Sequence, residues 1–229
     1  MKVMILAAGR GERMGELTRD VPKPMLSLLG EPLIGHQLQK IAVMGFTDVV
    51  INVSYLGDQI QNYCGDGSRF GLSIQYSYEQ NRLETAGGII QALPMLGDAP
   101  FWVINADVWC DYQPFPWVRL PPDALASLIM VSNPSHHPSG DFGLNPNGSL
   151  RRLLEGDRFG FTYAGIGLFS PKLFQAWAPG ARPLRPVLEH AIDQGLVFGE
   201  RFRGAWCDIG TPERLQDLEK SLSERVSCD

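Results

Sequence analysis

The sequence predicts an α/β fold, a mixed but mostly parallel sheet flanked by helices, with a small β-rich insertion in its second half. Three observations predict it. Short runs at residues 2–8, 48–53, 72–77 and 101–105 have the length and β-branched content of strands, and the most apolar of them suit burial on both faces. The first three are each followed by a helical pattern, and repeated strand–helix units place strands in parallel with helices on both faces. From residue 127 onward the runs are separated by turn residues, and Asn147-Gly148 is a hairpin signal.

The elements follow in order. A helix starts at Glu31-Pro32, carries Leu33, Ile34, Leu38, Ile41 and Ala42 on one face, and ends at Gly45. Residues 57–64 form a short helix broken by Gly65-Asp66-Gly67. Thr85 is placed to cap a helix running through Gly87-Gly88 to Leu96. Strands are expected at 127–131, 141–144, 149–154, 163–169 and 205–209, with helices at 171–177 and 184–194. Thr211-Pro212-Glu213 opens a last helix with a cap, a first-turn proline and an early acid.

Composition bounds the rest. The 229 residues, 44% hydrophobic and 20% charged, suit one domain over 1–229 with a substantial core. The chain enters a strand almost at once, so no leader is expected, and no apolar run reaches the length of a membrane span. Twenty basic against 25 acidic residues, a net charge of −5, argue against a nucleic-acid partner. Cys64, Cys110, Cys207 and Cys228 form no C-x-x-C pair, which suits reduced thiols and a cytoplasmic location. Small-molecule partners and a monomer or weak homodimer are expected.

The chemistry concentrates at the N-terminus. The first strand runs into Gly9-Arg10-Gly11-Glu12-Arg13, and Pro22-Lys23-Pro24 follows. Gly9 and Gly11 let backbone N–H groups approach an anion, Arg13 and Lys23 add positive charge, and the flanking prolines stiffen the backbone of Lys23. An ordinary glycine turn is the competing reading for Gly-x-Gly alone. A Walker loop is excluded because no Lys-Ser or Lys-Thr follows a glycine here. A dinucleotide fingerprint is excluded because Met14 stands where a third glycine belongs and the second strand runs out at Asn52-Val53-Ser54 without an acid. Asp107, just past the 101–105 strand, and Asp208, near the end of the last, sit at the edge where open α/β sheets bind ligands. Each alone also suits a loop-fixing hydrogen bond. Together, beside a phosphate loop, they can share one Mg²⁺ whose remaining positions water and phosphate oxygens fill.

Leu6-Ala7-Ala8-Gly9-Arg10-Gly11-Glu12-Arg13-Met14 with Pro22-Lys23-Pro24 resembles the signature of the sugar-1-phosphate nucleotidylyltransferases, over nearly the whole chain. The resemblance implies a Rossmann-like nucleotide-diphospho-sugar transferase fold with a sugar-binding insertion, and Mg²⁺ on Asp107 and Asp208. It implies that Arg13 and Lys23 act on the nucleotide phosphates. It implies that Ala7, Ala8, Gly9, Gly11, Glu79, Thr85, Gly87 and Gly88 contact the nucleotide. Close helix–sheet packing is the competing role of Gly87 and Gly88. Asn105, Asp141, Gly143, Glu155, Tyr163 and Gly165 match positions that contact the sugar in relatives.

The implied reaction joins a sugar 1-phosphate to a nucleoside triphosphate with release of pyrophosphate. The Glu84-Thr85 step and the short chain are similar to the branch that couples UTP to N-acetylmuramate 1-phosphate in peptidoglycan recycling. Guanylyl transfer to mannose 1-phosphate, thymidylyl or uridylyl transfer to glucose 1-phosphate, and a nucleotide-sugar sensor on the same fold are the alternatives. Several relatives carry Gly where this chain has Glu84. Many carry Glu-Lys-Pro where it reads Glu155-Gly156-Asp157, so a sugar-phosphate lysine is missing. A lactyl carboxylate would need a donor, for which Arg151, Arg152, Arg158 and Arg203 are candidates. His136-His137, set among Pro134, Pro138 and Gly140, reads as a solvent loop.

Overall fold

The computed structural model describes residues 1–154, 157 and 160–226. In chain order the elements are β1 (Val3–Leu6), β2 (Ser27–Leu28), β3 (Glu31–Pro32), α1 (Leu33–Val43), β4 (Asp48–Val53), α2 (Gly57–Cys64), β5 (Ser73–Tyr78) and α3 (Glu84–Leu96). The second half adds β6 (Phe101–Asn105), β7 (Val108–Cys110), β8 (Ala126–Val131), β9 (Phe142–Leu144), β10 (Leu150–Arg152), β11 (Thr162–Phe169), α4 (Leu184–Ile192), β12 (Val197–Arg201), β13 (Trp206–Asp208) and α5 (Pro212–Val226). Seven strands form one sheet in the order β12-β8-β11-β6-β1-β4-β5. β1 is central and parallel to both neighbours, with Leu6 beside Asn52 on one side and Asn105 on the other. β11 runs antiparallel to β6 and β8, which makes the sheet mixed as expected.

Alternation along the strands builds two apolar layers. Val3, Ile5, Ile51 and Trp102 pack with Ile34 and Ile41 of α1 and Ile60 of α2. Met4, Val50 and Val103 pack on the other face with Ile89 of α3 and Val187 and Leu188 of α4. Burying each such side chain contributes about 1.5–3 kcal/mol. A third, smaller cluster joins Met14 of the glycine loop to Ile209 and to Leu215 of α5, so the last helix is seated against the first loop.

The structure departs from the sequence reading at five places. Glu31-Pro32 belongs to a two-residue strand, with Pro32 preceding α1 instead of lying in its first turn. Thr85 caps nothing: α3 begins at Glu84, and Leu83 precedes it. The stretch 171–177 is a 3-10 turn over Pro171–Leu173 followed by further turns, because Leu173, Phe174 and Trp177 bond back three residues to Ser170, Pro171 and Phe174. β12 and β7 were not foreseen; β12 is an edge strand broken in pattern by Gly199, and β7 has only β13 as a partner. The second half does more than cover one end of the sheet, since β8, β11 and β12 extend it, and the hairpin β9–β10 stands apart as the small insertion.

Candidate active site

The C-terminal ends of β1, β4 and β6 open on a cavity of about 810 Å³. The loop 6–13, Lys23, residues 79–82, Thr85 and residues 105–107 line it. Gly11 has φ +67°, and a Cβ there would stand 3.0 Å from the Lys23 side chain and 3.1 Å from Thr18, so the turn accepts only glycine without rearrangement. Thr18 Oγ1 donates to the Gly11 carbonyl at 3.0 Å and fixes the loop from behind. No atom lies within 4 Å of the Cβ direction of Gly9, which leaves its backbone open to a ligand. Arg13 lines the cavity and is exposed. Lys23 is buried, held in a 3-10 turn between its two prolines, with its ammonium donating to Asp107.

A buried polar network supports the opposite wall. Asn52, at the end of β4, accepts from the Ala7 amide at 2.8 Å and donates to Glu79 Oε1 at 2.6 Å. The Leu83 amide donates to Glu79 Oε2 at 3.3 Å. Sequence reasoning met Asn52 only as the absence of an acid; its signal was a lone amide in an otherwise apolar strand. Gly87 and Gly88 do not line the cavity. A Cβ on Gly88 would collide with the Glu79 carboxylate and stand 2.9 Å from Asn52 Nδ2, while one on Gly87 would strike the Gly180 carbonyl. Both glycines therefore act through close packing, and Gly88 is what allows the Asn52–Glu79 pair to form. Glu84 does reach the cavity wall. Its φ of +58° lies in the left-handed region that glycine adopts freely and other residues rarely do, and Arg82 holds its carboxylate at 3.1 Å.

Burial raises the pKa of Glu79, opposed by the hydrogen bonds from Asn52 and Leu83. A raised carboxyl pKa means that the native state binds the proton more tightly than the unfolded chain, so this group costs stability at neutral pH and the cost fades as pH falls. Wild-type stability measured against Glu79→Gln should therefore rise as pH is lowered through the raised value and level off below the ordinary value of 4.5. Urea unfolding of both proteins between about pH 4 and 7 checks it; a flat difference would show that folding does not raise the Glu79 pKa.

Asp107 lines the glycine-loop cavity, whereas Asp208 lines a second cavity. β13 pairs antiparallel with β7, placing Asp208 beside Val108, and the Ile209 amide donates to the Asp107 carbonyl at 2.8 Å. Asp107 receives Lys23. Asp208 receives Arg214 from the first turn of α5, and His136 Nε2 lies 3.1 Å from its other oxygen. His136 and Arg214 thus belong to the site's surroundings. His137 also meets an acid, Asp141, at 3.2 Å; the pair lies in a partly exposed loop as expected, with each imidazole beside a carboxylate that the sequence did not indicate. Among the described residues no cluster of three or more His, Cys, Asp or Glu is assembled for a metal. Two partly exposed carboxylates whose backbones are joined by the Ile209–Asp107 hydrogen bond suit a hard divalent ion whose other ligands come from phosphates and water.

The sugar-side candidates divide. Asn105 lines the cavity, and Gly165, with φ +73°, leaves it room, since a Cβ there would stand 2.7 Å from Asn105 Nδ2. Asp141, Gly143, Tyr163 and Gly165 are not on the cavity wall. Asp141 accepts from the Tyr163 amide at 2.9 Å, and Gly143 leaves room for the Arg151 guanidinium, which a Cβ would approach to 2.8 Å. The Tyr163 hydroxyl is buried without a partner. Arg151 and Arg152 are taken up bidentately by Asp157 and Asp193. Glu155 and Arg158 lie outside the described residues.

The family model described as nucleotidyl transferase matches residues 2–225. The chain is 46% identical to N-acetylmuramate alpha-1-phosphate uridylyltransferase of Neisseria meningitidis serogroup B, over 96% of this chain and 97% of that one. It is 28% identical to the protein of the same name from Caulobacter vibrioides, over 96% of each. A Bacillus anthracis protein described provisionally as a glucose-1-phosphate thymidylyltransferase, solved with sucrose, has a TM-score of 0.84 at 21% identity, over 96% of this chain and 94% of that one; at this identity the likeness is one of fold. On the family match and the 46% identity along almost its whole length, the chain belongs to the nucleotidyl transferase family.

Proposed function

We propose that this protein joins N-acetylmuramate 1-phosphate to UTP, giving UDP-N-acetylmuramate and pyrophosphate. The observation that supports this reading is the glycine-loop cavity itself, whose walls carry Gly9, Gly11, Arg13, Lys23 and Asp107 together. The identity to the Neisseria meningitidis enzyme supports the choice of base and sugar.

The residues suit direct transfer. A sugar phosphate is mostly dianionic near neutral pH, its second pKa being about 6, so its oxygen can attack the α-phosphorus of UTP without a general base. The new bond is phosphate oxygen to α-phosphorus, and the bond to the β-phosphate oxygen breaks. The backbone of residues 9–11 and Arg13 hold the β- and γ-phosphates, Lys23 meets the α-phosphate, and the wall carrying Glu79, Thr85 and Ala7 takes the nucleoside. Mg²⁺ on Asp107 and Asp208 would supply charge neutralisation between the two reacting phosphates. Both substrates are soluble cytoplasmic anions, which places the reaction there and its product in peptidoglycan recycling; no described helix is long and apolar enough to cross a membrane.

The test is pyrophosphate release from UTP, GTP, dTTP and ATP against muramate, glucosamine, mannose and glucose 1-phosphates. UTP with the muramate substrate is expected to give the highest kcat/KM. A tenfold advantage (about 1.4 kcal/mol) for another sugar would move the protein to another branch, and no turnover with any pair would leave the sensor reading in place.

A further inference from the structure

We infer that Arg214 is the cation that receives the phosphate of the sugar substrate, in the place of the lysine the hairpin loop lacks; the inference rests on the reading above. Its chain of evidence starts with charge. At the junction of β6, β7 and β13, two carboxylates face two cations: Asp107 with Lys23 and Asp208 with Arg214. The four charges cancel as they stand. Once both carboxylates serve a divalent ion, the two cations are left over for anionic substrate. Lys23 reaches the cavity from the nucleotide side, where it is a wall residue. Arg214 approaches from α5, on the other side of the acid pair.

The placement of the guanidinium agrees. Arg214 Nη1 donates to the Asp208 main-chain carbonyl at 3.2 Å as well as to its carboxylate, and His136 Nε2 lies 3.0 Å away. Gly210 lines the cavity, and a Cβ on it would stand 2.8 Å from Arg214 Nη2 and 3.0 Å from Nη1. Gly210, on the wall of that cavity, thus leaves room for the guanidinium, which itself lines a second cavity. Among the described residues the hydrogen bonds of the guanidinium all run from Nη1, which leaves Nε and Nη2 for two phosphate oxygens. That second cavity, of about 480 Å³, has Trp109, His136, Trp206, Asp208 and Arg214 among its walls, so the guanidinium borders open space. Arg151 and Arg152 are bound bidentately to Asp157 and Asp193 and, unlike Arg214, line neither cavity.

A residue that only steadied Asp208 would be a positioning residue, and the two roles differ in what they move. The experiment compares wild type with Arg214→Ala and Arg214→Lys. Calorimetry measures N-acetylmuramate 1-phosphate binding to protein saturated with Mg²⁺ and a UTP analogue blocked between the α- and β-phosphates, and separately the binding of that analogue. Arg214→Ala should weaken the sugar phosphate about tenfold or more, Arg214→Lys less, with nucleotide affinity and half-saturating Mg²⁺ within about twofold of wild type. Unchanged sugar-phosphate affinity overturns the inference. So does an equal loss of Mg²⁺ and nucleotide affinity, which is the mark of a displaced Asp208. If Arg214→Ala does not fold, the same readouts on Arg214→Lys decide. Failure of wild type to bind or turn over any sugar 1-phosphate would instead overturn the proposed function itself.

Discussion

Replacing Asp107 or Asp208 with Asn should lower kcat by about a thousandfold, the several kcal/mol a divalent ion contributes between reacting phosphates, while leaving the fold in place. Asn keeps the size and the oxygen that can accept from Lys23 or Arg214, so the ladder between β7 and β13 survives. It removes the charge that makes each group a ligand for a hard cation. Neither side chain is deeply buried (34% and 27% exposed), so the lost ion pairs should cost only about 1 kcal/mol of stability. Steady-state kinetics across a Mg²⁺ titration, beside thermal unfolding, separates the two effects. Either variant turning over at the wild-type rate at ordinary Mg²⁺ would take that residue out of the site.

Lys23→Ala should lower kcat by about a hundredfold, with a smaller rise in the KM for UTP. The side chain is only 8% exposed and its ammonium is held by Asp107 before any substrate arrives, so it is set in place for the charge that develops at the α-phosphate. Charge of this kind acts most strongly where water is excluded. Removing it also leaves Asp107 without its cation. A change confined to KM would assign Lys23 to ground-state binding of the nucleotide.

How much of this was legible in the sequence varies with how local the signal is. The strands at 48–53 and 101–105 are short runs rich in Val, Ile and Phe with turn residues beyond them, and they appear where the pattern puts them. Gly9, Gly11, Arg13 and Lys23 lie within fifteen residues of one another, and each reaches the cavity. β12 escaped because an edge strand has one neighbour; Gly199, Glu200 and Arg201 break the apolar alternation without cost there. The polar network escaped because its members are distant in sequence: Asn52 lies 45 residues from Ala7 and 27 from Glu79. His136 is 78 residues from Arg214, and nothing in its own neighbourhood marks it as the partner of Asp208. Gly87 and Gly88 show the converse. Their pattern suggested ligand contact, but the space each leaves is filled by the protein's own carbonyl and carboxylate.

The central claim is that the sugar phosphate attacks the α-phosphorus directly, with Lys23, Asp107 and Asp208 arranged around it and no group of the protein forming a bond to phosphorus. The stereochemical course at that atom tests it most directly. UTP carrying a single sulfur of known configuration at the α-phosphorus is converted with N-acetylmuramate 1-phosphate, and ³¹P NMR reads the configuration of the product. One in-line displacement predicts inversion. Retention would require two successive displacements through a nucleophile on the protein, and would contradict the account.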